Sequence, residues 1–260
     1  VNQPALSRMV KQFEEHLQLT LLERQARGVK LTQHGTTIFL KAQEIFSKVD
    51  ELKRMTSHLG KVCQGELRMG ATDSVATALL AAPIKKITEH WPLVYPIVQI
   101  GTVSETLPLI ANGKLEFGCF FHIPTLPTSL AVTKRWPIQF HLVCLMTAIK
   151  NKLVLDRFIG SREVDDNLNT KFPTLEKWKR KQARAKILAS SNSLLLHHEL
   201  VRQGLGISVL PAFLIEKELA SGKLIDLMPT ENLIFDLKLV QRKDIGLSLE
   251  ANTFINCLKL

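Results

Sequence analysis

Residues 3–35 hold the stretch that decides how the chain begins: Gln3-Pro4-Ala5-Leu6-Ser7-Arg8, Phe13-Glu14, Leu22-Glu23-Arg24, Arg27-Gly28-Val29-Lys30-Leu31-Thr32 and Gly35. Proline suits the first turn of a helix, where its missing N–H costs nothing. Leu6, Val10, Phe13 and Leu17 then step at helical spacing and predict one buried face. Gln3, Ser7, Arg8 and Lys11 lie largely off that stripe, placed to meet a base edge or a phosphate. From Arg24 to Lys30 basic and small residues alternate around Gly28, the pattern of a short β-wing. A helix followed by a wing predicts a DNA-facing surface. The plain alternative is that Ser7 and Arg8 are solvated helix residues.

Outward from this stretch, residues 36–59 contain no glycine or proline. Ile38, Ala42, Ile45, Val49, Leu52, Thr56 and Leu59 alternate four- and three-residue steps, a heptad seam with one polar interruption at Thr56. Phe39 and Phe46 widen the stripe. A straight helix cannot bury such a stripe against itself, so the spacing predicts either a helix lying on its own domain or a dimerisation helix. Residues 60–65, glycine at both ends, read as a hinge.

Beyond the hinge, strand-like and helix-like segments alternate: strands at 65–71, 95–101 and 115–121, helices at 74–90 and 104–112. This βαβαβ order predicts a parallel sheet with covering helices. The rhythm returns with strands at 140–146, 207–210 and 235–241, a helix at 194–203 and a final helix. The sum is two α/β lobes with a cleft between them. In open α/β sheets ligands sit beyond the carboxyl ends of the strands. Three loops there are rich in short polar groups: Thr72-Asp73-Ser74, Thr102-Val103-Ser104 and Ser191-Asn192-Ser193. Hydroxyls and helix-start N–H groups suit a carboxylate or another small anion, although Asp73 would repel one unless an amine is also present. The same residues are also ordinary helix caps. Phe121 and His122 are placed to line the same cleft.

The net charge of +10 suits a polyanionic partner without identifying it. No run of eighteen apolar residues predicts a membrane span, and no secretory pattern opens the chain. Cys63, Cys119, Cys144 and Cys257 are scattered, without metal-ligand spacing or a resolving partner. They read as reduced, mostly buried thiols of a cytoplasmic protein. Ser191 and Ser193 lack a nucleophile elbow, and His197-His198 lacks zinc-site spacing. Gly204-Leu205-Gly206 follows a helix rather than a strand, the reverse of a dinucleotide-binding loop. No catalytic constellation, metal site or cofactor is expected. The basic residues between Lys177 and Lys186 read as a solvated face.

The opening stretch resembles the LysR-type bacterial transcriptional regulators, whose recognition helix runs Q-P-A-L-S-x-x-[IV]-x-x-[LF]-E and whose wing ends in R-G-x-L-T-x-x-G. Gln33 and His34 replace the usual middle pair of the last element. The resemblance continues in the G-x-L-D-x-A/G element, with Glu116 for the common aspartate, and in V-x-x-G-x-G-I-x-x-L-P at Val201–Pro211. It implies an α/β effector domain of two Rossmann-like lobes, the type 2 periplasmic-binding-protein fold, preceded by a partial winged helix-turn-helix and a long linker helix. The implied divisions are 1–32, 33–62 and 63–260, with lobe I at about 65–138 and 234–260 and lobe II at about 139–233. Gln3, Pro4, Ser7 and Arg8 would face the major groove; Arg24, Arg27, Lys30 and Thr32 would hold phosphates or enter the minor groove. The implied partners are double-stranded promoter DNA, a small-molecule effector and further copies of the chain, as homodimer or homotetramer. Family members carry a full helix and most of a second ahead of this segment. The functional expectation therefore concerns the intact regulator; the chain as given is not expected to bind DNA specifically, and a small-molecule-binding module without specific DNA binding is the alternative.

Overall fold

The computed structural model describes residues 3–25, 28–57, 63–149, 155–160 and 186–258. The chain divides into two compact units, Val1–Thr56 and Ser57–Leu260.

The first unit comprises α1 (Gln3–Leu17), an antiparallel hairpin of β1 (Leu22–Gln25) and β2 (Gly28–Leu31), and α2 (Gln33–Ser57). Helix α1 forms as its spacing predicts, but its apolar face is only partly covered: Leu6 and Phe13 are exposed, and Val10 and Leu17 are half-buried. Among the described residues of this unit, Leu21, just ahead of the hairpin, is the buried apolar side chain. Helix α2 likewise carries Phe39, Ile45, Phe46, Val49 and Leu52 in the open. The parts of the expected seam at Thr56 and Leu59, and residues 60–62 of the hinge, lie outside what is described of side chains or backbone.

The second unit starts with β3 (Gly65–Ala71), which runs into a helical stretch of α3 (Asp73–Val75), a π-helical turn (Ala76–Leu80) and α4 (Ala81–His90). The wider turn sits just ahead of Pro83, whose ring nitrogen cannot bond back to Leu79. There follow β4 (Val94–Ile100), α5 (Val103–Ala111), β5 (Phe117–Phe120) and the long β6 (Leu130–Leu145). Then come β7 (Arg157–Gly160), β8 (Lys186–Ser190), α6 (Leu194–Arg202), β9 (Ser208–Pro211), α7 (Ala212–Ala220), β10 (Leu224–Asp226), β11 (Leu233–Arg242) and α8 (Leu249–Cys257).

β3 pairs in parallel with β4 and β5, as the βαβαβ pattern predicts. The rest of the sheet departs from a parallel arrangement. Its order is β10-β6-β11-β5-β3-β4, with β9 also on β6, and every pairing of β6 and β11 is antiparallel. These two strands pass through both lobes, so one mixed sheet replaces two separate ones. The core changes along them. Trp136 and Leu237 pack with Leu67, Met69, Phe117 and Phe254, whereas Phe140 and Leu233 pack with Leu142, Phe158 and Val209. β7 and β8 form a small parallel pair at the side of lobe II.

Two motif positions have direct structural causes. Gly204 ends α6 in the left-handed region at φ 72°, where its N–H and that of Leu205 turn back onto Val201 and Leu200. A side chain on Gly206 would stand 2.4 Å from the Arg157 carbonyl oxygen, where β7 approaches. Glu116 reaches across to the returning helix. It accepts hydrogen bonds from the Ser248 N–H and, at 3.0 Å, from the Ser248 hydroxyl, which itself caps α8 at the Ala251 N–H. Glu116→Ala is expected to lower unfolding free energy by about 2 kcal/mol in urea titrations, since hydrogen bonds to an ionised group fall in that range. An unchanged midpoint would remove this role.

Candidate functional site

The helix and wing are held together by the motif's own less conspicuous residues. Glu14 Oε1 accepts hydrogen bonds from the N–H groups of Leu21, at 2.6 Å, and Leu22, at 2.9 Å, tying α1 to the start of the hairpin. The bonds from Leu22 and Leu21 hold this carboxyl below its usual range. Thr32 donates to the Thr20 carbonyl and accepts from the Gly35 N–H, both at 2.8 Å. Its hydroxyl therefore has a capping task at the start of α2. Gly35 is required there: a Cβ would stand 2.0 Å from the Leu21 carbonyl oxygen. With this frame in place, Gln3, Pro4, Ser7 and Arg8 lie exposed on α1, and Lys30 is exposed on β2. Arg24 falls within β1, its side chain outside the description, and Arg27 lies outside the described residues, as does the basic run from Lys177.

In the second unit, the parallel strands deliver their loops to one edge. Ala71 is level with Ile100 on one side and Cys119 on the other, and the Gly101 N–H bonds to the Ala71 carbonyl at 3.1 Å. Thr72-Asp73, Thr102 and Phe121-His122 thus emerge side by side. The lobe II loop meets them through one contact. The Ser193 hydroxyl donates to Asp73 Oδ2 across the cleft, while accepting from the Leu196 N–H as the cap of α6. The other Asp73 oxygen accepts from the Ser74 N–H at 2.6 Å. Ser191 Oγ accepts from the Ser193 N–H at 3.0 Å, and Asn192 is exposed between them.

The middle loop behaves differently. Thr102 and Glu105 form a reciprocal capping box at the start of α5, with Ser104 Oγ 3.1 Å from the Thr102 hydroxyl. Capping is the task this geometry gives Thr102. Its hydroxyl and N–H hold the Glu105 carboxyl below the usual range. Thr72, by contrast, makes no capping bond with its side chain.

Aromatic residues gather beside this edge. Phe121 meets Phe140 edge-on at 5.1 Å and stacks on Phe213 at 6.1 Å, and it packs against the cores of both lobes. Phe213, at the start of α7, was not legible as a site residue, because nothing in its local sequence links it to residue 121. His197 is another. It is buried on α6 and donates from Nε2 to the Ser191 carbonyl at 3.0 Å. Burial lowers its pKa, against the opposing effects of that bond and of nearby Asp73.

A helix–wing unit and a two-lobed domain whose strand ends meet at a cleft define the class of ligand-responsive DNA-binding regulators. Residues 1–36 match the family model of the bacterial regulatory helix-turn-helix protein, lysR family, and residues 61–259 match the LysR substrate binding domain. The chain belongs to the LysR-type transcriptional regulators. It is 23% identical to the HTH-type transcriptional regulator BbuR of Bordetella bronchiseptica over 94% of this chain and 76% of that one. It is 30% identical to the dual regulator OxyR of Escherichia coli, over 45% of this chain and 38% of OxyR. Its fold is that of CrgA, a LysR-type regulator from Neisseria meningitidis, with TM-score 0.62 and 19% identity over 99% and 89% of the two chains. A full-length OxyR variant from Pseudomonas aeruginosa superposes with TM-score 0.63 and 18% identity over 99% and 84% of the two chains.

The buried titratable groups set the response to pH and to thiol reagents. His197 resists protonation in the fold more than in the unfolded chain, where its pKa is near 6.5. The unfolded state therefore binds the extra proton first, so stability present above pH 6.5 is lost as pH falls through the lower folded value. His197→Gln should flatten that acid slope in unfolding titrations; an identical slope would contradict it. Burial also raises the Cys119 thiol to about 12 and that of Cys144 to about 11, with Cys63 shifted the same way. Thiolates are the reactive form. Ellman's reagent should react slowly with these three thiols in the folded protein and fast in urea, and rapid native reaction at any of them would overturn this.

Proposed function

We propose that this protein binds double-stranded promoter DNA through α1 and the wing, and that a small molecule in the cleft between the lobes modulates that binding. The observation carrying the reading is that one chain joins a framed helix–wing to a two-lobed domain whose helix starts meet at Asp73 and Ser193. Gln3, Ser7 and Arg8 on α1 supply contacts to bases and nearby phosphates, and Arg24, Arg27 and Lys30 supply charge along the wing. The exposed apolar side of α2 is an interface with a second copy, which sets two reading heads at two half-sites. No described helix is long and apolar enough to cross a membrane, and the protein acts in the cytoplasm, where its DNA is. Thr72, Asp73, Ser74, Ser191, Asn192 and Ser193 contribute the polar side of the effector site, with Thr102 and Ser104 beside them and Phe121 and His122 at its wall.

A gel-shift titration of the full-length protein against DNA upstream of its own gene, with scrambled DNA as control, tests this. Arg8→Ala should weaken selective binding about tenfold, and Lys30→Ala should reduce the salt slope by about 1. Thr72→Ala should leave DNA binding intact and remove the effector response. Equal, purely salt-dependent binding to both DNAs would contradict the regulator reading. Loss of DNA binding in the Thr72 variant would contradict the separation of roles.

A further inference from the structure

The helix starts at the cleft are already supplied with negative charge by the chain itself. Asp73 lies between the Ser74 N–H and the Ser193 hydroxyl, the position a ligand carboxylate would take if it bridged the lobes. Glu105 does the same for the neighbouring α5, accepting from the Thr102 N–H at 2.8 Å and hydroxyl at 2.7 Å. An incoming anion would meet two carboxylates whose donors are taken, and like charges at close range disfavour each other. His197, the imidazole near Asp73, does not offset them, because burial favours its neutral form.

Among the described residues no ammonium or guanidinium group pairs with Asp73, and one hydroxyl beside it is unsatisfied. Ser74, immediately beside Asp73, is 1% exposed, and its hydroxyl has no hydrogen-bond partner among the described residues. The second lining is apolar. Helix α7, which carries Phe213, approaches the π-helical turn that follows Asp73, and Phe213 stacks on half-buried Phe121. A carboxylate next to aromatic faces suits an organic cation, whose charge pairs with the acid while its body lies on the rings.

We propose that the cleft takes a cationic effector, an amidinium, guanidinium or ammonium group on a flat apolar body, with Asp73 as counter-ion and Phe121 and Phe213 as the wall. Asp73 exchanges Ser193 for the ligand when the effector enters, so the same carboxylate joins the lobes in one state and binds ligand in the other. This rests on the effector cleft proposed above and replaces the small anion that the polar loops alone would suit.

Benzamidinium and benzoate, isosteric probes of opposite charge, decide between the two. Calorimetry on the full chain should show benzamidinium binding at least about tenfold tighter than benzoate, the scale of one hydrogen bond to an ionised group. Asp73→Asn, which keeps the side-chain shape, should abolish that preference. Ser193→Ala should strengthen benzamidinium binding, since the carboxylate no longer leaves a partner. Thermal unfolding confirms that both variants fold, and amide exchange at residues 72–80 and 191–196 locates the probe. Benzoate binding as tightly as benzamidinium, with protection of those residues, would overturn the cation and leave the cleft standing. Benzamidinium binding unaltered in Asp73→Asn would also overturn the cation. Silence from both probes overturns the amidinium-and-ring assignment, and protection confined to other segments overturns the cleft reading itself.

Discussion

The pairing of β6 with β11 is the constraint on which the second unit depends. From Leu233 opposite Phe140 to Arg242 opposite Leu130, the two strands run antiparallel through both lobes, with one register shift between Leu239 and Val240. Lobe II strands β9 and β10 attach to the far half of β6, and lobe I strand β5 attaches to the far half of β11. The lobes are therefore joined by backbone hydrogen bonds, and a change in their relative angle must be a twist or bend of these strands. This restricts motion to a narrow set of directions. A single side-chain contact on the cleft side then has leverage over the angle. Asp73 with Ser193 is such a contact, and it stands at the end of the strands where a ligand would also act.

The helix–wing shows a similar division of labour. Glu14, Thr32 and Gly35 direct their chemistry inward, onto Leu21, Leu22 and the start of α2. Arg8 and Lys30 can then be left exposed on rigid elements. A motif read as a contact surface is in this respect half frame.

How much of this the sequence discloses depends on the range of the interaction. Helix α1, the hairpin, α2 and the β3–β4–β5 core follow from periodicity and turn residues within a dozen positions. The first half of β6 does not, because Lys134-Arg135-Trp136-Pro137 breaks the alternation and proline argues against a central strand. β10 spans three residues and leaves no period to read. The partly bare stripe on α1 does not follow from spacing, which shows which residues share a face and not what covers it; it was legible from the resemblance, which places the covering helices ahead of this segment. In the site, the polar loops were visible as types, but capping and ligand binding use the same residues. Thr102 caps with its neighbour Glu105, whereas Ser193 both caps and crosses to a residue 120 positions away. Only the fold separates the two cases. Phe213 and the orphaned Ser74 hydroxyl belong to the same category, legible once β5, α7 and the helical run from Asp73 are placed together.

The most direct test is the spread of distances between the lobes. Spin labels at the exposed positions of Lys114, in lobe I, and Lys217, in lobe II, report it by electron–electron dipolar spectroscopy, with the four native cysteines replaced by serine or alanine. Asp73→Ala removes the cross-lobe hydrogen bond and leaves the Ser193 cap of α6 in place. One narrow distance is predicted in the parent protein, and a broader distribution reaching longer distances in Asp73→Ala. The same narrow distance in both would show that this contact does not set the lobe angle.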